Sequence, residues 1–560
     1  MHVILIACLI SLVGSVFADN FQEPLRSPPT SHPPPHRIAV IGAGPGGSAT
    51  SYYLDKFARS SSLDRRLEVT VFDSNTYIGG RTTTVNALDD PRYPTELGAS
   101  IFVKINHILY NATRDFGLIP SAKIYQAAPD SKYELGIWDG SSFVFTSATD
   151  DDNSSWSGWW DIAKLLWKYG LSPIRTQRAT RKAVGSFLEF YNEPLFPFPS
   201  IQEAVLSTGL DAYTSVTGKD VLHSAGVGDL FSREIIQAST RVNYASNLGG
   251  IHGLETLVCM AIEGAVAVEG GNWQIFEEMV TSSATRLLLN TTVTDVVKDT
   301  KRGTFTLQTT NPDVNEFLST EDEAAYDTVV LAAPYQFANV TFTPPPANPP
   351  AKIPYVTLYV TLFTSPHRLS PSFFGLTEQA DVPSSVLTTL HEGLDQDLTS
   401  RRGVDAVGPA GFWSISTLRV LHPDTDGTFF GPISNHSQST DSQPQYLYKI
   451  FSPAPQTGSF LSNLLDFPHT SVEKDDPLSA LSKKDVTWLH EKLWHSYPYE
   501  LPRSTFENFT LLTTSGDEQE RDEGLFYLSG MESFISTMET SALAGMNVAR
   551  LIVDQLQSQS

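Results

Sequence analysis

The chain has 560 residues, too many for one ordinary hydrophobic core, and two or three units are expected from its length alone. Its 41% aliphatic and aromatic content, with 18% charged residues, excludes general disorder. A formal net charge of -24, from 62 acidic and 38 basic residues, repels phosphate backbones and anionic membrane surfaces, so nucleic acid is not an expected partner.

Met1 and His2 precede an apolar stretch from Val3 to Val13, and Val16-Phe17-Ala18 places small or apolar residues where a signal peptidase reads. Residues 1–18 are therefore expected to be a secretory signal peptide, although the n-region carries no Lys or Arg. The alternative, a membrane anchor, is opposed by an apolar run shorter than the ~20 residues a spanning helix needs. Six Asn-x-Ser/Thr sequons, at Asn111, Asn153, Asn290, Asn339, Asn435 and Asn508, agree with entry into the secretory pathway and are candidate glycosylation sites. Cys8 leaves with the signal and Cys259 is then alone, so stability must come from a large core rather than a disulfide. No later stretch is apolar for long enough to span a bilayer. The mature chain is expected outside the cell or in a vacuolar or lysosome-like lumen.

Residues 19–36 read as a proline-rich linker, with six prolines between Pro24 and His36. Folding starts at the short apolar strand Arg37 to Ile41, which runs into Gly42-Ala43-Gly44-Pro45-Gly46-Gly47 and a helical stretch through Phe57. Gly42, Gly44 and Gly47 stand where G-x-G-x-x-G requires them, for a tight turn and close backbone approach to a pyrophosphate at a helix N-terminus. A second strand, Leu67 to Phe72, ends at Asp73, whose carboxylate suits the ribose hydroxyls of an adenosine. Taken alone, the glycines indicate only a dinucleotide.

The order Asp73, then Ile78-Gly79-Gly80-Arg81-Thr82, then Glu96-Leu97-Gly98-Ala99 resembles the flavin amine-oxidase branch of the glutathione-reductase superfamily. The resemblance implies FAD as cofactor, with Gly80 and Arg81 against the pyrophosphate and flavin edge and Ala99 close by. Two returning pieces agree. Glu269 to Val280 leads to Arg286-Leu287-Leu288, where the family's residue at Leu287 meets adenine through its backbone, and Asp327 to Pro334 reads as a buried strand. Phe526 to Glu539 opens a last helix, with Gly530, Met531, Glu532 and Met538 implied at the ribitol and flavin. A plain amphipathic C-terminal helix is compatible with that reading.

The chain also resembles the prenylcysteine oxidase (prenylcysteine lyase) family over nearly all of its folded length. Glu96 to Asn106, Gly158-Trp159-Trp160 with the basic helix to Tyr191, Arg241-Val242-Asn243-Tyr244, Val268 to Asn272 and Tyr527 to Ala544 carry that likeness. The expected fold class is α/β: a Rossmann-type FAD-binding domain assembled from three segments (37–110, 241–335 and 506–560), with an inserted α+β substrate domain (111–240 and 336–505). Within the latter, Ser370 to Gln445 reads as loop-rich.

The resemblance implies oxidative cleavage of S-farnesyl- or S-geranylgeranyl-cysteine. Hydride leaves the prenyl carbon next to sulfur for the flavin, water adds, and the hemithioacetal collapses to cysteine and a prenyl aldehyde while O2 becomes H2O2. The protein then supplies orientation, an apolar tunnel and control of water. Lys104 and Arg241 are candidates for the substrate carboxylate, and Asn243 and Tyr244 for the pocket wall, each with a structural role as the alternative. Trp159, Trp160 and Trp167 are read either as a lipid entrance or as core. His107 and Cys259 are conceivable flavin attachment points by chemistry alone, and the scattered histidines show no metal-ligand spacing.

One departure from many animal members is Val103-Lys104 where they carry His-Pro. It leaves open another prenylated or secreted metabolite as substrate. An amine is a further alternative, disfavoured because Ile353 to Ser365 contains no lysine. A non-catalytic carrier that keeps FAD and binds lipid is the last.

Overall fold

The computed structural model describes residues 33–61, 63–122, 132–148, 165–283, 285–312, 325–422, 443–469, 476–513 and 524–559. Its organising element is a five-stranded, all-parallel sheet, with spatial order Thr285–Leu288, Leu67–Phe72, His36–Ile41, Thr328–Leu331, Leu525–Tyr527. In order of appearance along the chain that is 3-2-1-4-5, the doubly wound arrangement with the crevice at the C-terminal ends of the strands. Val, Ile, Leu and Phe dominate these strands because helices and a second sheet cover both faces.

The helix Pro45–Ser60 begins with proline at its first turn and Gly44 as N-cap. It packs against the C-terminal helix Met538–Gln559 at very short range. A Cβ on Gly545 would lie 2.2 Å from the Gly46 carbonyl oxygen and 2.9 Å from Thr50 N. The two helices are laid side by side over the sheet only because neither carries a side chain at that crossing.

A four-stranded sheet (Ala325–Tyr326, Thr304–Thr310, Thr292–Asp299, Thr341–Thr343) flanks the nucleotide unit. The largest sheet has seven strands, in the order Trp488–Pro498, Tyr355–Ser365, Gln445–Ser452, Ser414–Leu421, Ser385–Thr388, Tyr133–Trp138, Phe143–Ala148. It is antiparallel except between Ser385–Thr388 and Tyr133–Trp138. Two of its strands lie in Ser370 to Gln445, the stretch expected to be loop. Ser414–Leu421 is buried at most positions on both faces, so it lacks the two-residue alternation that would mark it in the sequence.

A helical layer completes the molecule. Helix Gln237–Tyr244 straddles the expected boundary at residue 241 and Gly253–Val258 falls inside the second expected FAD segment, yet Gly253–Val258 packs on Gly218–Ser224 and Ser172–Leu188. A Cβ at Gly253 would strike Val221, and one at Gly218 would strike Thr256. Ala265–Val268 pairs with Phe102–Val103 and Pro120–Ser121 in a small separate sheet, and the segment enters the parallel sheet only at Thr285. Among the described residues no helix is long and apolar enough to cross a membrane.

Candidate functional site

At the C-terminal ends of the parallel strands lies a cleft of about 290 Å³. Gly42, Gly44 and Gly46 form its floor, Asp73, Ser74 and Asn75 one end, and Gly80, Arg81, Ser529 and Glu532 the other. Residues 41–81 thus meet residues 528–541 in one crevice, and Thr291 to Val293, Ala332 to Ala338, Lys492 and Trp494 complete its lining.

The floor is shaped by missing side chains. Gly42 adopts φ +112, and a Cβ on Gly47 would lie 1.9 Å from the Gly42 carbonyl oxygen. Gly80, at φ +58, brings its backbone to within van der Waals reach of Gly44. No side chain caps the helix Pro45–Ser60 and no acid stands in its first turn. Its first N–H groups are therefore left for an anion in the cleft.

Asp73 is buried at the end of its strand. One carboxylate oxygen accepts the Ala43 N–H at 2.7 Å and the other accepts from Asn75 N and Nδ2, both at 2.8 Å. These bonds hold the glycine turn against the second strand and leave one acceptor position, on the oxygen that takes the Ala43 N–H, for a ribose hydroxyl.

At the opposite end, Arg81 donates to the Glu532 carboxylate and to the Ser496 carbonyl oxygen. Tyr355 Oη donates to the other Glu532 oxygen at 3.2 Å. Trp494 and Lys492, from the strand Trp488–Pro498, form the outer wall, with Lys492 Nζ 4.5 Å from the Trp494 ring centroid. Trp494 Nε1 is buried behind that wall without a hydrogen-bond partner.

The donor set fits FAD. Asp73, Asn75 and Thr291 to Val293 suit the adenosine, the glycine floor and helix terminus suit the pyrophosphate, and Arg81, Ser529, Glu532 and Trp494 suit the ribityl and flavin end. Of the residues expected from the sequence, Gly42, Gly44, Asp73, Gly80, Arg81 and Glu532 line the cleft. Gly47 shapes it from behind. Leu287 pairs with Val71 in the sheet one step away, and Thr291 to Val293 form the wall instead. Ala99 takes a left-handed φ of 49 and its carbonyl oxygen accepts from Asn272 Nδ2 at 2.8 Å, so it braces the wall without lining it. Gly530, Met531 and Met538 are buried beneath, and Ser541 is the C-terminal helix residue that reaches the cleft.

Residues missed in the sequence include Lys492, Trp494 and Glu539. Glu539 accepts from Ile108 N at 2.8 Å, Leu109 N at 3.0 Å and Tyr191 Oη at 2.7 Å. It therefore caps the helix His107–Asp115 from the C-terminal helix, and burial pushes its carboxyl up to about 7. The signal available was its place in Thr537-Met538-Glu539.

The substrate candidates are scattered. Lys104 is exposed in the turn after Phe102–Val103, its stem running past Gly264. Arg241 is fully buried. It donates to Thr388 Oγ1, Asn247 Oδ1 and the Ala406 and Val407 carbonyl oxygens, and lies 4.6 Å over the Trp413 ring. Every guanidinium nitrogen is committed, so Arg241 pins a crossing of segments and is not placed for a substrate carboxylate. Asn243 is exposed and bonds back to Ser239. Tyr244 is buried, donating to the Ser536 carbonyl oxygen at 3.1 Å. None of the four lines the cleft.

Trp159 and Trp160 lie outside the described residues, and Trp167 stands in solvent. His107 is exposed against the Tyr191 ring. Cys259 is buried, with its thiol pushed up by burial and by Glu255.

Tyr244 borders a grouping that spacing did not reveal: His252, Glu255 and Glu500, all buried, with nitrogen and oxygen atoms within 4.8 Å of one another. His252 Nδ1 accepts the Glu255 N–H at 3.1 Å, which leaves the ring hydrogen on Nε2, 3.6 Å from Glu500. A ring polarised in that sense is a donor toward the carboxyls rather than a metal ligand. Burial lowers His252 to about 3 and raises both carboxyls, so it favours a histidine that has lost its proton beside carboxyls that keep theirs.

Comparison with known proteins covers the whole site. The sequence model of the family described as prenylcysteine lyase matches residues 152–560, and that of an NAD(P)-binding Rossmann-like domain matches residues 40–116. A farnesylcysteine lyase of Arabidopsis thaliana is 26% identical, covering 94% of this chain and 89% of that protein. Prenylcysteine oxidase 1 of Homo sapiens is also 26% identical, covering 92% and 89%. Among solved structures, cyclohexylamine oxidase from Brevibacterium oxydans superposes with a TM-score of 0.51 at 16% identity, covering 94% of this chain and 100% of that one. This last likeness concerns the fold.

Proposed function

The chain belongs to the prenylcysteine lyase family, and from that premise we propose that it is an FAD-dependent thioether oxidase. Its reaction converts S-farnesyl- or S-geranylgeranyl-cysteine, with O2 and water, to cysteine, a prenyl aldehyde and hydrogen peroxide. The observation that carries the reading is the joining of the glycine floor, Asp73 and the Arg81–Glu532 pair into one FAD cleft, in a chain whose remaining length matches the family.

FAD supplies the hydride acceptor and, through O2, the route to peroxide. The chain's own residues do the holding. The uncapped helix at Gly44 and Pro45 takes the pyrophosphate charge, and Asp73 orients the ribose. Arg81 is held between Glu532 and the Ser496 carbonyl oxygen, so its charge sits at a defined place at the flavin end of the cleft. Water is limited by the aromatic and aliphatic wall of Phe337, Ala338 and Trp494.

The secretory or vacuolar location and N-glycosylation belong to the same proposal. Asn111, Asn339 and Asn508 are exposed and Asn290 is half-buried, while Asn153 and Asn435 lie outside the described residues. The test is to purify the protein, record the flavin spectrum, and follow flavin bleaching without oxygen and peroxide with oxygen. Farnesylcysteine, geranylgeranylcysteine and a panel of amines are the substrates. Bleaching by the prenylcysteines with release of aldehyde is the expected result; bleaching by amines alone overturns it.

A further inference from the structure

The residues 165–188, helical at 165–169 and again over Ser172–Leu188, invert the usual amphipathic pattern. The longer helix buries Ser172, Thr176, Thr180 and Ala183 against the protein. Trp167, Leu171 and Ile174 are instead 93%, 57% and 48% exposed. Trp167 stands in the first stretch and Leu171 and Ile174 at the start of the second, on either side of a turn at Gly170, where φ is +59.

Single exposed apolar residues are ordinary, but an exposed Trp, Leu and Ile flanking one turn, at the end of a helix that buries a row of hydroxyls, are not a core that failed to close. Farther along the exposed surface come Arg178, Arg181 and Lys182. Among the described residues these three have no ion-pair partner, whereas Lys168 pairs with Glu234 and Arg175 donates to the Gly226 carbonyl oxygen. Residues 165–188 hold no Asp or Glu at all, in a chain whose net charge is -24.

We propose that this face docks on a lipid surface carrying anionic headgroups, with Trp167, Leu171 and Ile174 entering the headgroup boundary and Arg178, Arg181 and Lys182 pairing with the lipid charges. An apolar tip with tryptophan beside a cluster of unpaired cations matches an interfacial surface in both of its parts. An acidic protein partner would satisfy the cations and leave the apolar tip without a role. The whole-chain charge argues for repulsion from anionic membranes, but the field at contact is set within a Debye length of about 8 to 10 Å, where Arg178, Arg181 and Lys182 stand exposed and the neighbouring Glu234 is paired with Lys168. The helix continues to Tyr191, which bonds Glu539 at the start of the C-terminal helix, so the docked element is mechanically continuous with the FAD domain.

The proposal stands apart from the thioether reading, since it concerns binding to lipid with no substrate present. The experiment is co-flotation of the FAD-loaded full chain with phosphatidylcholine vesicles made with and without phosphatidylserine, at low and high salt. Binding only to the phosphatidylserine vesicles, weakened by salt, is expected. The triple variant R178E/R181E/K182E should weaken it by on the order of a hundredfold, and W167S/L171S should abolish co-flotation. Flavin spectrum and melting temperature should be unchanged in both variants, because these side chains are exposed. Equal binding to both vesicle types, or no binding to either, overturns the proposal. So does a self-association seen by light scattering that W167S/L171S removes while vesicle binding is absent, since that would assign the face to a second copy.

Discussion

Arg81 and Glu532 stand 451 residues apart in the chain and form an ion pair at the flavin end of the cleft, with Tyr355 bonded to the same carboxylate. The pair joins the first and last FAD segments. Glu532 is nearly inaccessible to water, so removing its partner leaves a buried charge. Arg81→Met is therefore expected to weaken FAD retention by about 2 kcal/mol, read as a lower flavin-to-protein absorbance ratio after gel filtration, with Arg81→Lys restoring only part.

Three glycines separate folding from binding. Gly47→Val and Gly545→Leu place atoms within 1.9 and 2.2 Å of carbonyl oxygens, and each should cost about 3 kcal/mol or more, or prevent soluble expression. Gly44→Ala meets nothing closer than the Gly80 Cα at 4.0 Å. It should yield an apoprotein of near-normal melting temperature that fails to hold FAD, because the added methyl occupies the floor on which the pyrophosphate rests. A Gly44→Ala protein that carries full FAD would contradict the pyrophosphate placement.

Arg241→Met tests a structural assignment against a substrate role. The arginine is buried without a contacting carboxylate, and burial lowers it to about 9. Loss of its bonds to Thr388, Asn247, Ala406 and Val407 should reduce stability by about 3 kcal/mol. The folded fraction should retain its KM ratio between prenylcysteine and its methyl ester. A collapse of that ratio would place Arg241 at the substrate carboxylate instead.

Stability should rise on acidification. Glu539 has an ordinary value of 4.5 and is raised to about 7 in the folded chain, chiefly by burial. Between those values the folded state holds a proton that the unfolded chain has lost. Its contribution is complete below about 4.5 and declines as pH rises through about 7, by up to about 1.4 kcal/mol per pH unit. Glu255 and Glu500 are shifted in the same direction and outweigh His252, whose lowering to about 3 acts in the opposite sense below its ordinary value of 6.5. Differential scanning fluorimetry across that window should show a melting temperature that falls with rising pH, with a shallower slope in Glu539→Gln. A slope that Glu539→Gln leaves unchanged would refute the protonated state of that carboxyl.

The cleft was legible where its requirements are local. A backbone that must approach a pyrophosphate needs glycine at fixed spacing, and Gly42, Gly44, Gly47, Asp73, Gly80 and Arg81 all fall within one short stretch of chain. The prenylcysteine lyase likeness was equally visible, because Arg241 to Tyr244 and Val268 to Asn272 are contiguous words. What those residues do was less visible. Arg241 belongs to such a word and is a buried structural pin.

By itself, then, the sequence determined the FAD-binding class and the family, since each rests on residue types that backbone geometry demands at neighbouring positions. The tertiary structure alone decided that Arg81 meets Glu532, that Glu539 caps the helix at Ile108 and Leu109, that Gly545 touches Gly46, and that Trp167 faces solvent while Thr180 is buried. These relationships join residues far apart in the chain or depend on which helix face finds a neighbour. Burial and pairing of that kind are properties of the packed neighbourhood, and residue spacing along one segment does not encode them.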